Sequence, residues 1–160
     1  MAGPLHVRPA YPDDADALAD LDADASREAA HGGETGEDTP GAAAQDAAQR
    51  WRDRLADPGG SMTWVGVVRA TGEVVGLATA EATGPGDLRP LRLVSLHVLP
   101  RWRGQGLGGV LLDHAVGDAP CYLWVGEHDA RAQRFCEHNG FTPDGARREE
   151  RDGPELRMVR

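Results

Sequence analysis

An apolar, strand-like run ends in proline and passes into spaced glycines and then into helical spacing: Leu96-His97-Val98-Leu99-Pro100-Arg101-Trp102-Arg103-Gly104-Gln105-Gly106-Leu107-Gly108-Gly109. This segment constrains the chain more than any other. Read locally, it is a strand, a turn, a glycine-rich loop and the start of a helix. A helix N-terminus presents unsatisfied N–H groups and a partial positive charge. Glycines let backbone N–H groups close around an anion without side-chain obstruction. The segment therefore reads as a cradle for a diphosphate.

Other readings compete with this one. A glycine-rich connection can be structural and hold nothing. The alternation of Gly104, Gly106 and Gly108 also matches the start of a dinucleotide fingerprint. That fold needs an early βαβ unit with parallel strands, whereas this segment follows an antiparallel meander late in the chain. A nucleotide P-loop is excluded, because all 17 basic residues are Arg and no Lys exists to reach the phosphates.

The rest of the chain alternates two periodicities. Residues 5–8 read as a strand. Pro12 precedes a helical pattern over 13–29, with Leu18, Leu21 and Ala25 on one face. Residues 31–38 are polar and glycine-rich, hence a loop. Thr39-Pro40 is a helix start, a hydroxyl cap followed by a residue that needs no N–H, and the helix runs to Ala56 with Ala44, Ala48, Trp51 and Leu55 along one side. Residues 62–69 and 73–82 flank Thr71-Gly72 as a hairpin. After a loop at 83–90, residues 91–98 form a third strand of that meander. A helix follows over 106–116 with Leu107, Val110, Leu111 and Ala115 on one face, then a strand at 121–125 and a helix over 129–138. Strands at 146–151 and 155–159 close the chain, with Pro154 weakening the tight turn between them. The fold class is mixed α/β (α+β): one central, largely antiparallel sheet flanked by helices, order βααβββαβαββ, as a single domain over 1–160.

Two motifs now combine. Arg101-x-x-Gly104-x-Gly106 after a strand ending Val98-x-Pro100 resembles the coenzyme A signature of the GNAT acetyltransferases. Asp129-x-x-Ala132-x-x-Phe135-Cys136-x-x-x-Gly140-Phe141 resembles that family's second cofactor-side segment. The element order is similar to the family's fold from end to end. The resemblance implies that acetyl-CoA is the co-substrate and that an amine attacks its thioester directly in a ternary complex. It implies that backbone N–H groups of Arg103, Gly104, Gln105, Gly106, Leu107 and Gly108 hold the pyrophosphate. The strand around His97 and Val98 is expected to splay from its neighbour, opening a slot for pantetheine and offering an N–H to the carbonyl oxygen. Asp129 belongs to the cofactor side, where the family usually has Asn, and it also suits a helix cap.

The candidate general bases are His97, on the cofactor strand, and Glu81, near the end of the preceding one. His titrates near neutrality when unperturbed, which suits the task. The family often has a Tyr acid where Cys136 stands; Cys136 itself falls in a stripe with Ala132 and Phe135 and reads as a small buried hydrophobe. Trp64 and Trp124 lie in strands and read as core. Trp51 borders the acceptor side in the resemblance. His114 reads as structural or exposed.

Composition narrows the partners. A net charge of −9 argues against nucleic acid. No apolar run reaches the roughly 18 residues of a membrane span, and the N-terminus has no signal-peptide pattern, so a cytoplasmic protein without membrane contact is expected. Cys121 and Cys136 are too few for a disulfide framework or a zinc site, and no metal is expected. Asp13, Asp14, Asp16, Asp20, Asp22, Asp24, Glu28, Glu34, Glu37 and Asp38 crowd the first helix and its loop, which suits a cationic acceptor or, equally, a solvated face. The acceptor is otherwise open among small amines, amino acids, aminoglycoside-like drugs and protein N-termini. A homodimer and acyl groups longer than acetyl also stay open, as does a catalytically weak acyl-CoA-binding sensor.

Overall fold

The structure, a computed structural model, describes residues 3–29 and 40–160, and of 40–42 the backbone alone. The expected loop at 31–38, the Thr39 cap, and Glu34, Glu37 and Asp38 lie outside the described residues. The strands are β1 (Leu5–Pro9), β2 (Ser61–Val68), β3 (Val74–Ala82), β4 (Leu91–Val98), β5 (Cys121–Gly126), β6 (Thr142–Glu150) and β7 (Gly153–Val159). The helices are α1 (Ala15–Ala29), α2 (Pro40–Ala56), α3 (Leu107–Val116) and α4 (Ala130–His138). Short 3₁₀ turns at Pro12–Asp14 and Pro100–Trp102 precede α1 and the glycine loop.

The seven strands form one sheet in the order β1-β2-β3-β4-β5-β7-β6. Every neighbouring pair is antiparallel except β4 and β5. The mixed α/β class and the largely antiparallel sheet are as the sequence implies.

Helices cover both faces. Leu18 and Leu21 of α1 and Ala48 and Trp51 of α2 pack on Val65, Val67 and Leu77. On the opposite face, Leu107 and Leu111 of α3 pack on Val68, Val75, Ala78 and Val98. A third cluster joins Leu112 and Val116 of α3 to Cys136, Phe141 and the strand residues Leu93, Leu123 and Met158. Each fully buried Leu contributes about 1.5–3 kcal/mol.

Several boundaries and faces differ from the sequence reading. The first helical turn is a separate 3₁₀ turn, because Asp14 folds back on its own segment. Its carboxylate accepts from both Arg8 guanidinium nitrogens, at 2.7 and 2.9 Å, and from the Tyr11 N–H at 2.8 Å. On α2, Ala44 is exposed, since α1 covers only the part of the helix around Ala48 and Trp51. On α3, Val110 is 44% exposed and Leu112 is buried instead, because the helix is wedged between two clusters. β6 begins at Thr142, not at 146. Pro143 and Gly145 read as breakers, but a register shift between Pro143 and Arg147 absorbs them on this edge strand.

Candidate functional site

β4 and β5 are paired only at Leu91–Cys121 and Arg92–Tyr122. Beyond those two positions they diverge, and a cleft of about 750 Å³ opens between them. A bulge in β4 contributes to the divergence. β3 pairs Thr79 with Ser95 and Ala80 with Leu93, which leaves Val94 as an extra residue. A bulge bends its strand and resets which face later side chains take. Val94, 39% exposed, stands in the cleft wall.

The glycine loop closes one end of this cleft. Pro100 ends β4, and a 3₁₀ turn carries the chain into Gly104 and Gly106, with φ of +75° and +82°. Both sit in the left-handed region, where other residues are strained. Gly106 is the N-cap of α3, and no side chain caps that terminus. The first N–H groups of α3 therefore face the cleft with no side-chain acceptor. A Cβ on Gly104 or Gly106 would meet nothing within 4 Å, so the space above them is open.

Glycines elsewhere set the height of α3. A Cβ on Gly66 would stand 2.7 Å from Leu107 Cδ1, and one on Gly76 would stand 3.2 Å from Leu107 Cδ2. The sheet is notched at β2 and β3 to receive the first residue of the helix. Gly108 admits a second neighbour: a Cβ there would lie 3.1 Å from Phe135 of α4.

Arg103 braces the loop. Its Nε donates to the Val98 carbonyl at 2.8 Å and its Nη2 to Glu28 of α1 at 2.7 Å. Arg131 of α4 reaches the same Glu28 oxygen at 3.5 Å. The Arg103 bond is the main cause that holds the Glu28 carboxyl below its ordinary range.

His97 faces the other side of the sheet. It lies opposite Leu77 in the β3–β4 register, so it points to α1 and α2, and it is 9% exposed. Its Nε2 lies 2.8 Å from Asp24 Oδ2. That bond is the leading cause that lowers the Asp24 carboxyl, and Arg27, 3.5 Å from the other oxygen, adds to it. Asp22, two residues before, has the opposite shift. Burial pushes its carboxyl up, against a 2.8 Å bond from Trp51 Nε1 that lowers it.

The expected site residues separate into two groups. His97, Val98, Arg103, Gly104, Gly106, Leu107, Gly108 and Asp129 all line the cleft. Gln105 is exposed and outside the lining, and Glu81 is ion-paired with Arg92 near the closed end of the β4–β5 seam, also outside it. Asp129 is the N-cap of α4, accepting from the Ala132 N–H at 2.9 Å. Cys136 lines the cleft at 5% exposure, and its thiol is pushed up to about 11, chiefly by burial and then by the charges of Asp129 and Glu137.

Two tryptophans take other places than expected. Trp124 is half-buried in the cleft wall with the Arg148 guanidinium 4.4 Å from its ring centre, rather than core. Trp51 is core and outside the cleft lining. His114 is exposed and lies tilted against Trp64, with ring centres 4.9 Å apart. Sequence reasoning placed Asp24 and Glu28 only within the acidic run of the first helix, without their partners, and did not single out Arg131 or Val94. The available signal was the four-residue spacing of Asp24 and Glu28, which puts both on one face of α1.

Comparisons with known proteins agree with this geometry. Residues 24–141 match the model of the acetyltransferase (GNAT) family. A search of the curated proteins finds no match. Among solved structures, the chain is similar to the PaiA N-acetyltransferase of Thermoplasma acidophilum in complex with coenzyme A, at TM-score 0.72 and 14% identity, covering 98% of each chain. It is similar to Arabidopsis thaliana NAA60 in complex with a bisubstrate analogue, at TM-score 0.68 and 18% identity, covering 98% of this chain and 97% of that one. A spermidine N-acetyltransferase SpeG chimera from Vibrio cholerae and hSSAT aligns at TM-score 0.67 and 16% identity, over 98% and 95%.

Proposed function

Because this chain belongs to the GNAT acetyltransferase family, we propose that it transfers an acetyl group from acetyl-CoA to an amine by direct attack within a ternary complex. One observation carries the reading: the gap between β4 and β5 opens onto the uncapped, glycine-lined N-terminus of α3. A diphosphate fits there. Among the described residues, nothing lies within 4 Å of a Cβ placed on Gly104 or Gly106, and the helix end supplies N–H donors.

Acetyl-CoA supplies the acetyl group as an activated thioester. The residues of this chain do the rest. The loop from Arg103 to Gly108 binds the diphosphate through backbone N–H groups. The edge of β4 beyond Arg92 has no strand partner on the β5 side, and an N–H there donates to the carbonyl oxygen as charge develops on it. The two strand walls orient the thioester for attack. His97 is the proposed base, since it lines the cleft and Glu81 does not. Cys136 is not the proposed acid: its thiol is buried and holds its proton too tightly at about 11.

The proposed acceptor is a cationic amine. Asp24 and Glu28 lie one turn apart on one face of α1, with Asp24 bonded to His97, and relatives of similar fold include a spermidine enzyme. The proposed setting is the cytoplasm. No helix among the described residues is long and apolar enough to cross a membrane.

A second reading is a catalytically weak acyl-CoA sensor. The placement of Cys136 where the family commonly carries Tyr favours it. Calorimetry with acetyl-CoA, combined with a coenzyme A release assay over a panel of polyamines, amino acids and peptide N-termini, separates the two. Binding with turnover supports the transferase. Binding without turnover on any amine supports the sensor. No binding overturns both.

A further inference from the structure

We infer that Asp24 is a positioning residue for His97, holding the imidazole in the tautomer that leaves Nδ1 free toward the cleft. The inference rests on the transferase reading above. It starts from a contact 73 residues apart in sequence, between α1 and β4: His97 Nε2 and Asp24 Oδ2 at 2.8 Å. The Asp24 carboxyl is held below its ordinary range, so it is an acceptor at neutral pH. Nε2 must then carry the hydrogen and donate it, and in the neutral ring Nδ1 is left as the basic nitrogen.

The position of the second nitrogen gives this consequence. Nδ1 has no hydrogen-bond partner among the described residues, and it is not one of the buried polar atoms that lack one. It therefore retains access to open space, and the open space next to His97 is the cleft. Residues of β3 opposite the ring are uncharged, Leu77 and Thr79. The charged groups around it are Asp22, Asp24 and Glu28 on α1 and Arg103 on the loop. Of these, Asp24 bonds to the ring directly.

In the transfer step the acceptor ammonium gives one proton to Nδ1. The freed nitrogen lone pair forms the C–N bond to the acetyl carbon, and the C–S pair departs with sulfur. The second ammonium proton leaves as the amide forms and, through water, neutralises the sulfur. His97 then returns its proton to solvent. Asp24 takes no proton; it fixes which ring nitrogen can.

The test has two arms. Nitrogen-15 histidine spectra of the native protein report the His97 tautomer without any turnover. The expected result is Nε2–H, with a change of tautomer population in Asp24→Asn, whose amide can turn an N–H toward the ring. In the kinetic arm, Asp24→Asn lowers kcat by about tenfold or more with acetyl-CoA affinity unchanged, while His97→Gln loses roughly 10²–10⁴-fold. Adding Asp24→Asn to His97→Gln costs nothing further. An Nδ1–H tautomer in the native protein, an unchanged tautomer and kcat in Asp24→Asn, or additive losses in the double variant overturns the inference. If the native protein acetylates no amine, the transferase reading fails, and the spectra still decide whether Asp24 sets the ring.

Discussion

Arg103 Nη2 and Glu28 Oε2 stand 2.7 Å apart, and this ion pair ties the glycine loop to α1. Because Arg103 also bonds the Val98 carbonyl, three segments meet at one guanidinium. The Glu28 carboxyl is held below its ordinary value of 4.5, and Asp24 and Asp14 are held below 3.8. Groups lowered in the folded state add stability above their unfolded values and lose it as pH falls through the folded ones. Asp22, raised by burial, works in the opposite sense, but three depressed groups outnumber it. Thermal melts should therefore fall steeply below about pH 4.5. Glu28→Gln should melt lower at pH 7 and show a shallower acid slope. A flat profile from pH 7 to 3 would show that these pairs carry no stability.

Gly66 is the seat of Leu107. Gly66→Val puts carbon where Leu107 Cδ1 already lies, 2.7 Å from the first added atom. The expected cost is about 1–3 kcal/mol of stability from overpacking. The helix must also lift, so acetyl-CoA affinity falls by calorimetry. Gly84→Ala is the control, because its Cβ meets nothing within 4 Å, and it should stay within about 0.5 kcal/mol. Equal effects of the two changes would mean that α3 is not seated as described.

Gly106 separates strain from occupancy. Its φ of +82° strains a β-branched residue, so Gly106→Val should lose about 1–2 kcal/mol of stability. Asn tolerates that region better, so Gly106→Asn should melt close to the native protein. Both place a side chain in the open space over the helix end, and both should weaken acetyl-CoA binding. If Gly106→Asn binds like the native protein, the diphosphate lies elsewhere.

Cys136 should be inert and dispensable. With its thiol near 11 and both cysteines buried, a chromogenic disulfide reagent should label neither until the protein unfolds. Cys136→Ala should keep kcat within roughly tenfold, short of the 10²–10⁴-fold loss of a general acid. A collapse of kcat with the fold intact by circular dichroism would make the thiol catalytic.

Charge along α1 should act on the acceptor. Steady-state assays at two salt concentrations should show the Michaelis constant for a polyamine rising with salt, while that for acetyl-CoA follows its own dependence. Asp14 and Asp16 are paired with Arg8 and Arg52, whereas Asp24 bonds to His97 at the cleft, so neutralising Asp14 or Asp16 should matter less than Asp24→Asn. A salt-independent constant would make the acidic run a solvated face.

The glycine loop was legible because its constraint is local. Spacing alone placed Gly104 and Gly106 at a strand-to-helix turn, and Asp129 at a helix start. The alternation of strands and helices was legible for the same reason. Contacts that depend on where a strand points were not. The bulge at Val94 resets the facing of β4, and no residue type announces it. The bonds from Asp24 to His97 and from Glu28 to Arg103 need α1 laid across β4, which only the assembled core decides. Trp124 was read as core from its apolar neighbours in β5; the divergence of β4 from β5 leaves it beside the cleft instead. Pro143 and Gly145 hid the start of β6, because an edge strand tolerates what a central one does not.

The short seam between β4 and β5 has a bearing on the life of the protein. Two ladder positions, Leu91–Cys121 and Arg92–Tyr122, are all that the two half-sheets share; the packing of side chains around α3 and α4 does the rest. A segment joined so sparsely exchanges its amides and admits proteases sooner than a full ladder does. Whatever fills the gap touches both halves, and at a hundred times its Kd it adds about 2.7 kcal/mol against unfolding. If acetyl-CoA fills the gap as proposed, the resistance of the chain to proteolysis rises and falls with the concentration of that ligand.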